Sequence, residues 1–304
     1  MRKVETIYIE KLSEIFDCLS KIEIDDSSIL AYRGEKEDYK NTELCPFIYR
    51  DNYLENEDKI FRESQRFNNQ EFFEDRTAFD KLSRIQHYSA PTRLLDISED
   101  LMSSLYFAIG ETKDFTKDAV LYIFEIEENK IKYYDSDVVS VISNLAKIPF
   151  KNQNQKSKEK LLEKIIKYKK DIKKFNKTKS SKFLRHEIRE EKPQFEPIIN
   201  PEHLISIQCV RPKLTSGRIK SQKGFFLLFG LNPDDVKKPI QLISNDELLD
   251  NDKIKHPIKK IHKIIIKACS IENMKKNLEK SGIKKPFIYP EIDKISEYLT
   301  EKLK

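Results

Sequence analysis

The run AVLYIFEIE at Ala119–Glu127 constrains the fold more than any other stretch, because β-branched and aromatic residues make it the strongest strand signal in the chain. A second run, GFFLLF at Gly224–Phe229, is apolar on both alternating faces and reads as a strand covered from both sides. Further strands are expected at Val4–Ile9, Ser27–Glu35, the short TRLLDIS stretch ending at Ser98, His203–Val210 and Ile261–Ala268. Helical periodicity marks Glu10–Ile22, Glu55–Phe73, Thr77–Tyr88, Glu99–Ile109 and two closing segments, Ile271–Ser281 and Pro290–Leu303. LCPFIYR at Leu44–Arg50 carries a proline and reads as a turn or short extended piece. Strands early, helices in the middle and strands again late predict an α+β fold with a mixed or mostly antiparallel sheet and flanking helices.

The 304 residues are enough for a sizeable core, and 38% hydrophobic with 10% aromatic residues describes a globular chain despite 36% charged ones. Six glycines and the absence of GxGxxG and GxxxxGK[ST] weigh against a phosphate-cradling glycine loop. Cys18, Cys45, Cys209 and Cys269 are scattered without metal-ligand spacing, which predicts buried free thiols. The N-terminus has no apolar leader pattern, and no window approaches ~18 uninterrupted apolar residues, so a cytoplasmic protein with no membrane partner is expected.

The net charge of +6 is unevenly placed. Lys151–Lys192 holds 14 Lys and 2 Arg against 6 acids, a surplus of +10, whereas the other residues hold 41 bases and 45 acids. Within it Leu161, Ile165, Tyr168, Ile172 and Phe175 form an apolar helical seam among lysines. The segment reads as a basic helical insertion over 151–192, either a solvated face or a surface for RNA, DNA or an acidic partner.

Polar chemistry concentrates around QHYSAPTRLLDIS at Gln86–Ser98. Pro91 ends a helix there, and a short buried strand follows with Arg93 and Asp96 about it. Their spacing puts the two charges on opposite faces of a straight strand. A buried Asp must be paired, as a fold anchor or as a site group. Arg33, before Gly34, offers a donor fork for phosphate or carboxylate, or else caps its strand. Gly34 permits close approach of a ligand or of another backbone. His87 and Tyr88 close the preceding helix, and Arg218 and Gln222 precede the Gly224 strand. No nucleophile–base pair, HExxH, GxSxG or carboxylate cluster is apparent, which starts hydrolase, metal-dependent nuclease and other metalloenzyme readings low and predicts no metal.

YRGE at Tyr32–Glu35, QHYSAPTRLLDIS at Gln86–Ser98, LYFAIG at Leu105–Gly110, GRIKSQKGFF at Gly217–Phe226 and the closing IYPEIDKISEYL resemble, in order, the FRG domain. The likeness spans 32–299, so residues 1–304 are expected to form a single domain of this type carrying the basic insertion. The chain departs from the pattern at Tyr32, where the family name has Phe, and at Ser89-Ala90, where a glycine turn is expected. The resemblance implies a split sheet similar to the ADP-ribosyltransferase fold, with NAD as substrate in a cleft. It implies catalytic roles for Arg33, His87, Asp96 and Gln222, and cofactor-binding roles for Tyr32, Gly34, Tyr88, Thr92, Arg93 and Arg218. The activity implied is that of a toxin or anti-phage defence effector modifying nucleic acid or another cellular target, held in check by an antitoxin or regulatory protein. The alternative is a non-catalytic nucleotide or nucleic-acid binding module.

Overall fold

The computed structural model of the chain describes residues 2–151, 156–196, 198–214, 223–244, 247–248 and 255–303. Strands β1 (Arg2–Lys3) and β2 (Glu5–Ile9) open it, followed by α1 (Leu12–Ser20), β3 (Ser28–Glu35), α2 (Glu57–Phe67), α3 (Ala78–His87) and β4 (Leu94–Ser98). Next come α4 (Leu101–Leu105), which runs on into a π-helical turn at Tyr106–Gly110, then β5 (Ala119–Glu127), β6 (Lys132–Tyr133) and α5 (Asp137–Ser143). The basic segment holds α6 (Lys158–Lys167), α7 (Ile172–Lys177) and α8 (Lys179–Glu191). Strands β7 (Ile207–Arg211), β8 (Gly224–Phe229), β9 (Ile243–Ser244), β10 (Glu247–Leu248) and β11 (Ile258–Ile266) precede α9 (Ala268–Lys280), α10 (Lys285–Ile288) and α11 (Ile292–Lys302).

Eight strands form one mixed sheet in the order β2-β11-β5-β3-β4-β8-β7-β6. The outer pairs β2–β11 and β6–β7 are parallel and every inner pair is antiparallel. The middle of the sheet is its weakest seam. β3 pairs with β5 from Ser28 to Glu35, yet it meets β4 at the single pair Tyr32–Ser98. Beyond that pair the ladder stops, and Arg33–Glu35 part from the first half of β4.

Gly34 brings β3 close to a helix beside this seam. A Cβ there would stand 1.9 Å from the Ser104 carbonyl oxygen and 2.7 Å from the Ala108 nitrogen. The close approach that Gly34 permits is therefore to the backbone of the α4 helix. On the sheet face carrying Tyr32, two helical layers lie side by side. One core joins Leu94, Phe226 and Leu228 to Phe79, Leu82, Val139, Leu161 and Leu184 from α3, α5, α6 and α8. The other joins Tyr32, Leu121 and Ile264 to Ile15, Leu105 and Met274 from α1, α4 and α9. The opposite face is closed by a third core in which Tyr122, Phe124 and Phe225 meet Val4, Ile243 and Leu248 around the small sheet β1-β10-β9.

The basic segment differs from the expected insertion with one helical seam. Its periodicity breaks at Tyr168, and Asp171 caps a new helix by accepting from the Lys174 backbone N–H. Leu161, Ile165, Phe175, Leu184 and Ile188 are fully buried in the same core as α3 and α5, so the segment is part of the fold's interior. Lys158 is itself buried, whereas Lys167, Lys170, Lys173, Lys174, Lys177, Lys179 and Lys182 remain exposed. The expected strand at His203–Val210 begins later, because Asn200 and Pro201 start a 3₁₀ turn over Pro201–Ile205. All four cysteines are unbridged, and Cys269 is exposed rather than buried. Among the described residues no helix is long and apolar enough to cross a membrane.

Candidate functional site

The open seam between β3 and β4 forms a cleft of about 490 Å³. By register Tyr32, Gly34, Asp96 and Ser98 share one sheet face, and Arg33 and Glu35 share the other. Both sets reach the cleft because no ladder closes it. The Arg33 Nε donates to Glu35 Oε1 at 2.9 Å, and its Nη1 donates to the Asp96 carbonyl at 2.7 Å. The guanidinium is thus fixed across the seam, and its Nη2 has no hydrogen-bond partner among the described residues. Glu35 is buried, and its second oxygen, Oε2, meets no donor there. Burial, with the Asp100 carboxylate behind it, pushes the Tyr32 phenol above its ordinary range.

The opposite wall comes from α3. Thr77 caps the helix start, accepting from the Asp80 N–H. At the other end the Ser89 N–H donates to the Gln86 carbonyl at 2.9 Å and the Ala90 N–H to the Ile85 carbonyl at 3.1 Å, closing a Schellman turn. Ser89 takes the left-handed conformation, φ 62°, so the turn keeps the glycine geometry although the residue is not glycine. This stop aims Gln86 and His87 into the cleft and returns the chain into β4. Thr92 donates from its hydroxyl to Gln86 Oε1 at 2.6 Å, and Gln86 Nε2 donates to Asp96 Oδ2 at 2.7 Å. Asp96 keeps an exposed carboxylate with one oxygen so engaged. His87 Nε2 lies 3.7 Å from Glu291 Oε1, from the segment entering α11.

Three of the sequence candidates stand outside this cleft. Arg93 is fully buried: its Nε donates to Glu57 Oε1 at 2.7 Å, its Nη1 to the Phe229 carbonyl at 2.8 Å, and its Nη2 to Glu57 Oε2. Lys158 Nζ completes this core cluster 3.2 Å from Glu57 Oε2. Arg93 is therefore a core anchor, and the period-2 separation from Asp96 holds. Thr92 is equally buried and acts on the cleft through Gln86. Tyr88 points outward, donating to Glu71 Oε2 at 3.1 Å. Arg218 and Gln222 lie outside the described residues.

The cleft also contains residues that sequence reasoning passed over: Arg50, Phe47, Tyr39, Gln86, Phe107 and Tyr289. Phe107 and Tyr289 meet edge to face with centroids 6.2 Å apart, forming an aromatic end to the cleft. Burial pushes the neighbouring Cys45 thiol up to about 11, and Arg50, Glu35 and Arg33 are close enough for their charges to act on it. Gln86 was legible as the first residue of its motif, and Arg50 as an arginine ending an aromatic-rich turn. Among the described residues no cluster of three or more His, Cys, Asp or Glu is placed to hold a metal ion. The chemistry on offer is a fixed guanidinium, a second cation, an exposed carboxylate, an imidazole beside a carboxylate, and aromatic faces.

Residues 28–117 match the family model described as FRG domain. They contain β3, α2, α3, β4 and α4, and so most of the cleft's walls. No curated protein and no solved structure matches the chain.

Proposed function

Starting from the FRG domain that the chain carries across residues 28–117, we propose that the β3–β4 cleft binds NAD and transfers its ADP-ribose to an acceptor. The observation that carries this reading is the guanidinium of Arg33, fixed across the β3–β4 seam by Glu35 and the Asp96 carbonyl beside the exposed Asp96 carboxylate. Arg33 offers Nη2 to a phosphate or ribose oxygen. An aromatic end made by Phe107 and Tyr289 suits the nicotinamide ring.

In the reaction the bond between ribose C1′ and the nicotinamide nitrogen breaks, and its electron pair leaves with neutral nicotinamide. The sugar becomes oxocarbenium-like, and Asp96 stabilises that positive charge across the cleft. An acceptor oxygen or nitrogen then bonds to C1′ and gives its proton to His87, whose charged form faces the Glu291 carboxylate 3.7 Å away. The exposed lysines of α6, α7 and α8 favour a polyanionic acceptor such as RNA or DNA. Consumption of NAD in this way suits a toxin or defence effector.

Incubation of the full chain with labelled NAD, RNA, DNA and lysate tests the proposal. Wild-type protein is expected to release nicotinamide and to label an acceptor, and Asp96→Asn to slow release by about 100-fold or more while retaining ADP-ribose. Intact NAD under all these conditions, with ADP-ribose still bound, would overturn transfer and leave a non-catalytic nucleotide-binding module.

A further inference from the structure

A dinucleotide carries two phosphates, and Arg93, the second cation that the sequence offers for them, is committed to the core. We infer that Arg50 is the phosphate-binding cation of the cleft, held in an aromatic clamp for a ligand carrying a phosphate or diphosphate. The inference deepens the nucleotide reading of the cleft and rests on it, though not on any transfer step.

The local chain is built to hold this one side chain in place. A 3₁₀ turn over Phe47–Tyr49 precedes Arg50. Ile48 is fully buried and its N–H donates to the Thr92 carbonyl at 3.2 Å, while the Tyr49 hydroxyl donates to the Gly230 carbonyl at 3.1 Å. These two bonds pin the turn to the start of β4 and the end of β8. The Arg50 N–H closes the turn on the Phe47 carbonyl at 3.0 Å. The guanidinium carbon then lies 5.6 Å from the centroid of Phe47 and 5.6 Å from that of Tyr39. Phe47 is itself braced edge-on by Tyr53, with centroids 5.4 Å apart. Asp51 and Asn52 follow in left-handed conformations, φ 47° and 62°, and turn the chain back from the cleft.

The electrostatics of Arg50 set it apart from its neighbours. Arg33 is paired with Glu35, Arg84 with Asp75 and Arg93 with Glu57. Arg50 has no carboxylate within ion-pair distance and no hydrogen-bond acceptor among the described residues, and its Nε is shut off from solvent with no partner. No ligand oxygen can reach that shut-off Nε, so the donors on offer to a ligand are the two terminal nitrogens of Arg50, which have no acceptor among the described residues. The planar fork suits two phosphate oxygens at once, and the aromatic walls limit the rotamer freedom lost on binding. Asp96 lies across the cleft and repels an anion, so the phosphate belongs on the Arg50 side and the neutral ribose on the Asp96 side.

Calorimetric titration of the full chain with inorganic pyrophosphate, ADP-ribose and adenosine tests this, using wild type, Arg50→Met and Arg50→Lys. Wild type is expected to bind pyrophosphate and ADP-ribose. Arg50→Met is expected to weaken both by about 10- to 100-fold and to leave adenosine and the thermal midpoint unchanged. Arg50→Lys, which keeps the charge and loses the fork, is expected to fall between them. Should Arg50→Met fail to fold, Arg50→Lys decides alone: weakened ADP-ribose with unchanged adenosine supports the inference, and unchanged ADP-ribose overturns it. A wild type that binds neither phosphate ligand overturns it, as does ADP-ribose affinity in Arg50→Met within about twofold of wild type, or a parallel loss of adenosine. Bound ADP-ribose with NAD left intact overturns the transfer reaction and leaves Arg50 in its place.

Discussion

Glu57→Gln is expected to be among the most damaging isosteric substitutions in this chain. The Glu57 carboxylate sits between two fully buried cations, Arg93 and Lys158, and is itself 2% exposed. Burial alone would push its pKa up, but Arg93 and then Lys158 outweigh burial and hold the carboxyl below its ordinary value. Glutamine keeps the shape and removes the charge, leaving two cations in the core with no counter-charge, at a cost of about 3–5 kcal/mol. Lys158→Met acts oppositely. It removes the unmatched charge and leaves a one-to-one Arg93–Glu57 pair, losing chiefly the hydrogen bond to the Ile148 carbonyl, so a change within about 1–2 kcal/mol is expected. The double variant should recover at least about 1 kcal/mol of the Glu57→Gln loss, because the two residues touch. The chain has no tryptophan, so far-ultraviolet circular dichroism during urea unfolding is the suitable measurement. The acid limb supplies a second reading. A depressed carboxyl contributes stability above its unfolded value, lost as pH falls through the folded one, and Glu57→Gln should remove that share. A Glu57→Gln loss under about 1 kcal/mol, or a loss in Lys158→Met larger than that in Glu57→Gln, would mean that the Glu57 charge does not balance the two buried cations.

Two further outcomes follow from the backbone and from a buried imidazole. Ser89→Gly should raise stability by about 0.5–1 kcal/mol, because a Cβ is strained in the left-handed turn that ends α3; an unchanged or lower urea midpoint contradicts this. His262 on β11 is 2% exposed, and burial, then Lys260, lower its pKa against the opposing pull of Glu5 at 3.4 Å. The unfolded chain takes up a proton that the folded one resists, so stability is held above pH about 6.5 and falls below it. His262→Gln should flatten part of that slope, the remainder coming in part from His203, whose pKa burial also lowers; matching slopes in the two proteins would remove His262 as a cause.

The parts of the fold that the sequence discloses are those set by local side-chain type. β5 and β8 fall on the expected residues because runs apolar on both faces leave few alternatives to a strand covered from both sides. Gly34, beside the single-pair seam between β3 and β4, is visible in the sequence, but what it admits is the α4 backbone 70 residues on, which no local pattern reports. The basic segment is legible only in part, with Leu161, Ile165 and Phe175 of its expected seam buried. Its lysines dominate the composition, while the buried set Leu161, Ile165, Phe175, Leu184 and Ile188 ties it to α3 and α5 through contacts distant in sequence. Arg50 is hidden in the same way: the rings around it, Tyr39 and Phe47, and its lack of a carboxylate within ion-pair distance among the described residues are both set by folded neighbours.

The stretch from Gln86 to Ser98 acts on two parts of the protein at once. Arg93 and Asp96 are three residues apart, so a strand must send them to different sides. Arg93 extends the β4–β8 ladder, its carbonyl accepting from the Phe229 N–H at 3.1 Å while its guanidinium returns a bond to the Phe229 carbonyl. Glu57 locks that end of β4 to α2, and Thr92, the residue before Arg93, is thereby positioned to hold Gln86 against Asp96. A change at Arg93 must therefore disturb the core and the cleft together. A change at Asp96 removes an exposed carboxylate and leaves the β4 ladder intact. Loss of ligand binding at Arg93 reports on folding unless stability is unchanged, whereas the same loss at Asp96 reports on the site itself.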